Sequence, residues 1–170
     1  GPLAMKGAID LLIDSHGIQA AMDVSLELGA FGEVAVTGAA AFGLDANDSP
    51  FFALYLGFKI ELNIAIIKIK GSAVLQINTS NLPYTTLNGH TIAAQTYFDL
   101  NIMGQADLYL FKIEFAGHMS VIGDVFTLSL EGKLDFFGVM EVDIGGYIDS
   151  HGFFEFHGKI EIDIYMGPLH

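Results

Sequence analysis

The 170-residue chain has no cysteine, no tryptophan and no arginine. The missing cysteine excludes a disulfide-stapled scaffold and leaves both the cytosol and bacterial secretion open as compartments. The missing arginine leaves seven lysines as the only permanent cations against 20 acids, a net charge of -13. Binding to a nucleic-acid duplex needs a basic footprint that displaces counterions from phosphates, so nucleic-acid partners are excluded. Anionic membrane surfaces are disfavoured for the same reason. Charged residues make up only 16%, against about 25% in an ordinary globular domain. The 52% of hydrophobic residues exclude a disordered chain, which needs low hydrophobicity and high charge density.

Two further absences shape the reading. No charge-poor apolar run approaches the roughly 20 residues of a spanning helix, so no membrane insertion is expected. No segment shows a convincing helical period of 3.6, so no helix longer than a turn is expected. Gly1–Met5 reads as a protease-cleavage remnant with cloning residues and is set aside. Residues 6–170 then read as a single all-β domain, excised from a longer parent.

What the sequence does have is period two. Apolar and polar residues alternate in Met22–Leu28, Phe58–Ile64, Phe126–Leu130, Met140–Ile144 and Ile160–Ile164. That alternation marks strands with one buried and one wet face. Acids such as Glu61, Asp143, Glu161 and Asp163 belong to the wet face. Glycines at 57, 71, 104, 117, 132, 138 and 158 fall within or between the apolar runs. There they suggest bulges, bends or close backbone approach. The apolar parity flips at Ile66–Ile67 and again at Leu110–Phe111, which reads as a β-bulge keeping the apolar set inward. The one sizeable loop, Asn78–His90, is polar and turn-forming.

Ile13-Asp14-Ser15-His16-Gly17 recurs as Ile148-Asp149-Ser150-His151-Gly152. A looser echo aligns Asp48-Ser49-Pro50-Phe51-Phe52 with the second copy. This self-similarity predicts a superrepeat of about 135 residues plus the start of the next, a solenoid-like array. Gly71-Ser72-Ala73-Val74-Leu75-Gln76-Ile77-Asn78-Thr79-Ser80, followed by Ala93–Ala116, resembles the repeat regions of giant bacterial secreted or surface proteins of adhesin type. The resemblance covers about a third of the chain and departs at Ser80. It carries no catalytic motif. It implies a bacterial, secreted or cell-surface, structural or adhesive part.

The candidates for chemistry are few. Asp45, Asn47 and Asp48 put three oxygen ligands into one turn, a partial calcium set, though neither the EF-hand pattern nor the calcium nonapeptide is complete. Their ordinary role would be to cap and turn the backbone. His16 and His151 share the repeated turn but lack zinc spacing. There is no nucleophile elbow and no phosphate loop, so an enzyme is not expected and no catalytic or cofactor-binding residue is assigned; calcium is the only ion considered. Asn78-Thr79-Ser80 is a formal glycosylation sequon, idle in a bacterial protein.

Ten phenylalanines (51, 52, 58, 98, 111, 115, 126, 136, 154 and 156) sit on or beside strands. They read as an aromatic core or, alternatively, as the lining of a groove for acyl chains. An outer-membrane barrel would want aromatic girdles and long outer loops; the missing tryptophan and the single loop argue against it.

The expected fold is all-β, an elongated antiparallel meander of about 10–12 strands. It should curl into a flattened sandwich, roll or solenoid-like repeat around one apolar core. The favoured function is a structural or adhesive repeat module of a large bacterial surface protein. Its partners would be neighbouring repeats, or further copies meeting at sheet edges. The alternative is a β-groove lipid conduit or hydrophobic-ligand carrier, whose partner would be lipid acyl chains. A structural repeat would pack its aromatics dry, whereas a conduit would leave them open.

Overall fold

The structure, a computed structural model, describes residues 4–136 and 138–162. It is all-β. Ten strands form one antiparallel sheet: β1 (Ala4–Asp14), β2 (Gly17–Glu27), β3 (Gly32–Leu44), β4 (Pro50–Ile64), β5 (Ile67–Asn78), then β8 (Thr96–Leu108), β9 (Phe111–Ile122), β10 (Val125–Phe136), β11 (Met140–Asp149) and β12 (Phe154–Ile162). Each strand pairs with the next, so the sheet is a pure meander. Between β5 and β8 the chain leaves the sheet and forms a small ribbon, β6 (Tyr84–Thr85) with β7 (Thr91–Ile92). A single 3-10 turn, Gly29–Phe31, joins β2 to β3.

The sheet stays one open layer among the described residues, and it does not close into a barrel. Alternation within each strand therefore sorts the side chains onto two faces. One row across the sheet reads Val24, Val36, Phe58, Ala73, Ile102, Gly117, Leu130, Gly146 and Phe156. A row three residues further along each strand, on the other face, reads Glu33, Glu61, Lys70, Gln105, Glu114, Lys133, Asp143 and Lys159. One face is thus apolar from edge to edge, and the other is polar.

The dry part is small and sits on the polar face. The buried apolar residues are Ala21, Ala39, Ala41, Ala53 and Ile92. The four alanines share that face by register. Methyl-sized side chains there let the β6–β7 excursion lie directly on β2, β3 and β4. Ile92 packs on Ala41 and Ala53, with Phe51, Tyr55 and Tyr84 around them. Asn78, fully buried, anchors the excursion: its amide donates to the carbonyl oxygen of Leu82 at 2.9 Å and its side-chain oxygen accepts from Ser80 N–H at 3.1 Å. The ring of His90 stacks on Tyr55 at 4.0 Å.

The parity flips are hairpin turns rather than bulges. Ile64 pairs with Ile67 around Ala65–Ile66, and Leu108 pairs with Phe111 around Tyr109–Leu110. A two-residue turn reverses parity just as a bulge does, and its residues here are apolar. Ala65 and Tyr109 take φ of 54° and 65°, a left-handed conformation ordinarily given to Gly, Asn or Asp. The register irregularities lie elsewhere, between Gln76 and Asn78 and between Thr96 and Phe98.

The glycines fall into line. Gly71, Gly104, Gly132 and Gly158 occupy one row across the sheet, alternating with Phe115 and Ile144. The Phe115 ring lies over Gly104, where a β-carbon would overlap it.

Candidate functional site

The ten strand-borne phenylalanines divide between the two faces. Phe51 lies under the excursion, its ring 5.4 Å from Tyr84. The others whose side chains are described sit on the apolar face by register, and that face is open. Phe42 is 72% exposed, Phe156 67%, Leu130 58% and Phe115 51%. The whole chain exposes 11137 Å², against roughly 8,100 Å² for a compact monomer of this mass. The expected aromatic core is therefore a solvent-facing apolar surface spanning the sheet. The Phe154 side chain, Asp163 and residues 1–3 lie outside the described residues.

On the polar face a groove of about 770 Å³ crosses from β4 to β12 above the glycine row. Its walls carry Lys70, Glu114, Lys133, Asp143, His157 and Lys159. Lys70 meets Glu61 at 3.6 Å and Lys133 meets Glu141 at 3.0 Å across strands, and Lys159 meets Glu161 two residues along its own strand. The Glu141 carboxylate raises the Lys133 ammonium above its ordinary pKa, and Glu161 does the same for Lys159. Three of the groove's lysines are thus paired with carboxylates. Further along this face His118 Nε2 stands 2.6 Å from Asp99 Oδ1, a pairing that a separation of 19 residues hid from the sequence.

Asp45, Asn47 and Asp48 do fall in one turn, between β3 and β4. Asp45 Oδ1 accepts from the backbone N–H groups of Asn47 (2.9 Å) and Ser49 (3.1 Å), and Oδ2 accepts from Ser80 Oγ at 2.7 Å. These hydrogen bonds, Ser80's first, lower the Asp45 pKa below its ordinary value. The carboxylate caps the turn and ties it to the excursion. No group of three or more His, Asp or Glu side chains that could hold a metal occurs among the described residues.

His16 and His151 lie on the same edge of the sheet, in the β1–β2 and β11–β12 turns. Seven strand spacings separate β2 from β11, roughly 34 Å across a flat sheet, so the two are not brought together. The repeated pentapeptide also builds two different turns. Asp14 pairs directly with Gly17 around Ser15–His16. Asp149 instead bonds Phe153 across three residues. The closer structural match is Asp45–Ser49 with Asp149–Phe153. In both, the aspartate Oδ1 accepts from residues two and four further on. In both, the fourth residue is left-handed, Asp48 at φ 56° and Gly152 at φ 85°.

Comparison with protein-family models, with curated proteins and with solved structures finds no match for this chain.

Proposed function

We propose that the chain is a β-sheet module that holds lipid acyl chains, or a ligand of the same apolar chemistry, along its apolar face. One observation carries the reading: the aromatic and aliphatic residues of that face are exposed across the sheet instead of packed dry. Contiguous apolar patches larger than a few hundred Å² are uncommon on stand-alone soluble proteins and mark sites of interaction. Acyl chains suit such a surface because they ask for area and no hydrogen bonds. The glycines at 71, 132 and 158, among larger side chains, give the face relief along one line.

The reading is tested with a fluorescent fatty-acid probe. Leu130→Asp and Ile102→Asp each place a carboxylate at an exposed position of the apolar face. Each should weaken the probe by about tenfold, the effect of losing one well-covered aliphatic side chain. Gln105→Glu, on the polar face, should leave binding unchanged. Equal affinity in all four proteins would refute the reading.

The structural-module reading is kept for one observation, the shared hairpin geometry of Asp45–Ser49 and Asp149–Phe153. Under it the apolar face would be covered by a neighbouring unit of the bacterial surface protein that the sequence resembles. Recombinant chain of 18.3 kDa would then self-associate in proportion to concentration and take up no probe.

A further inference from the structure

The hairpin turns sort by chemistry onto the two edges of the sheet. One edge carries Ser15–His16, Asp45–Ser49, Gly123–Asp124 and Ser150–Phe153, polar or small residues throughout except Ala46 and the exposed Phe153. The opposite edge carries Gly29–Phe31, Ala65–Ile66, Tyr109–Leu110 and the β10–β11 turn with Gly138–Val139. At that second edge Phe31 is 59%, Ile66 62% and Tyr109 68% exposed. Tight turns ordinarily use polar residues and Gly because water solvates their tips. Here large apolar residues stand in that place, even where the backbone is left-handed at Ala65 and Tyr109.

The lysines sort the same way. Behind the apolar tips the polar-face row runs Asn63, Lys68, Asp107, Lys112, Asp135, Glu141. Lys70, Lys133 and Lys159 stand on the next polar row, and Lys6 and Lys59 on the third. All seven lysines thus lie in the three polar rows nearest the apolar edge. The rows toward the other edge carry acids such as Asp23, Asp99 and Asp149, and no lysine.

We propose that the apolar hairpin edge docks on a zwitterionic lipid surface, with the alternating lysine and aspartate row facing the headgroups. Lys68 and Lys112 stand two residues behind Ile66 and Leu110, roughly 7 Å along the strand. That is about the thickness of one headgroup layer. With Phe31, Ile66, Tyr109 and Leu110 at the hydrocarbon boundary, the two ammonium groups meet lipid phosphates and Asp107 and Asp135 meet lipid ammonium groups. Tyrosine is suited to that boundary, with an apolar ring and a hydroxyl that stays wet. The net charge of -13 sets the preference for neutral lipid over anionic lipid. The contact is peripheral, since only the turn tips reach the acyl region. It stands on the tips and the lysine rows, independently of what the apolar face binds.

The experiment is flotation of the full chain with vesicles of pure phosphatidylcholine and with vesicles containing added phosphatidylglycerol. The chain should float with the first and less with the second. The double variant Ile66→Asp, Tyr109→Asp places two carboxylates at exposed turn positions; its partition should fall about tenfold or more. Ser15→Asn, on the polar edge, should float like the parent, with urea midpoints confirming that each variant folds.

Failure of the parent to float, equal flotation of the double variant, or stronger flotation on anionic vesicles would each overturn the proposal. So would a parent dimer that the double variant dissolves while vesicle binding persists, since a second copy would then be the occupant. Fatty-acid probe binding is read on the same samples. A double variant that stops floating but keeps the probe separates the docking edge from the apolar face. Flotation without any probe binding supports the docking edge and sinks only the acyl-chain reading.

Discussion

The hydroxyl of Tyr84 donates to the side-chain oxygen of Gln19 at 2.5 Å, linking residues 65 apart and fastening the β6–β7 excursion to the sheet. Burial around Tyr84 also raises the pKa of that phenol. Tyr84→Phe removes the donor and keeps the ring packed near Phe51 and Ala41. It should cost about 1 kcal/mol in urea denaturation and speed proteolysis between residues 79 and 95. Unchanged stability and proteolysis would mean that this bond does not hold the excursion.

Asn78 is the heavier anchor because its side chain is fully buried. Its amide faces the carbonyl oxygens of Leu82, Ile92 and Ala93 at 2.9–3.3 Å. Asn78→Ala leaves these carbonyls, that of Ile92 buried, without this donor and should cost about 2–4 kcal/mol. A loss below about 0.5 kcal/mol, the level of an ordinary surface change, would show that the excursion is not packed as described.

Asp45 sets a pH dependence. Its pKa is lowered in the fold by Ser80 and by two backbone N–H groups. The stability it contributes is therefore complete above the unfolded-state value near 3.8 and is lost as the pH falls through the lower folded-state value. Asp45→Asn should be less stable than the parent at pH 7, and the gap should narrow on acidification toward pH 3. A gap that widens in acid would contradict the assignment.

Much of the sheet was legible because its cause is local. Period-two alternation in segments such as Phe58–Ile64 gives strand and face together, and the acids at 61, 143 and 161 fall on the polar face as expected. The turns were not legible at Ala65–Ile66 and Tyr109–Leu110, because apolar residues occupy positions where turn residues are the usual signal. The excursion was visible as a polar loop, but its resting place was not. The one available hint was the run Gly38-Ala39-Ala40-Ala41, where small residues on both parities break the alternation and admit a close neighbour. Asp45 was singled out for its oxygens, and three hydrogen bonds assign them to the turn. Exposure of the aromatics could not be read at all, since alternation says which residues share a face and nothing about what covers it.

Gly32 tests the register. It has φ of 117°, and a β-carbon there would sit 1.9 Å from the carbonyl oxygen of Glu61 on β4. Gly32→Ala should cost about 1–3 kcal/mol, read as a lower thermal midpoint. Tolerance of alanine would mean that β3 and β4 pair differently at this end.

The central claim is that the apolar face holds acyl chains, and native mass spectrometry of the purified chain, with lipid extraction of the same sample, tests it most directly. Co-purifying lipid that is released on denaturation, and that is depleted in Leu130→Asp, is the predicted result. A bare 18.3 kDa mass with no extractable lipid, unchanged after incubation with fatty acid, would contradict it.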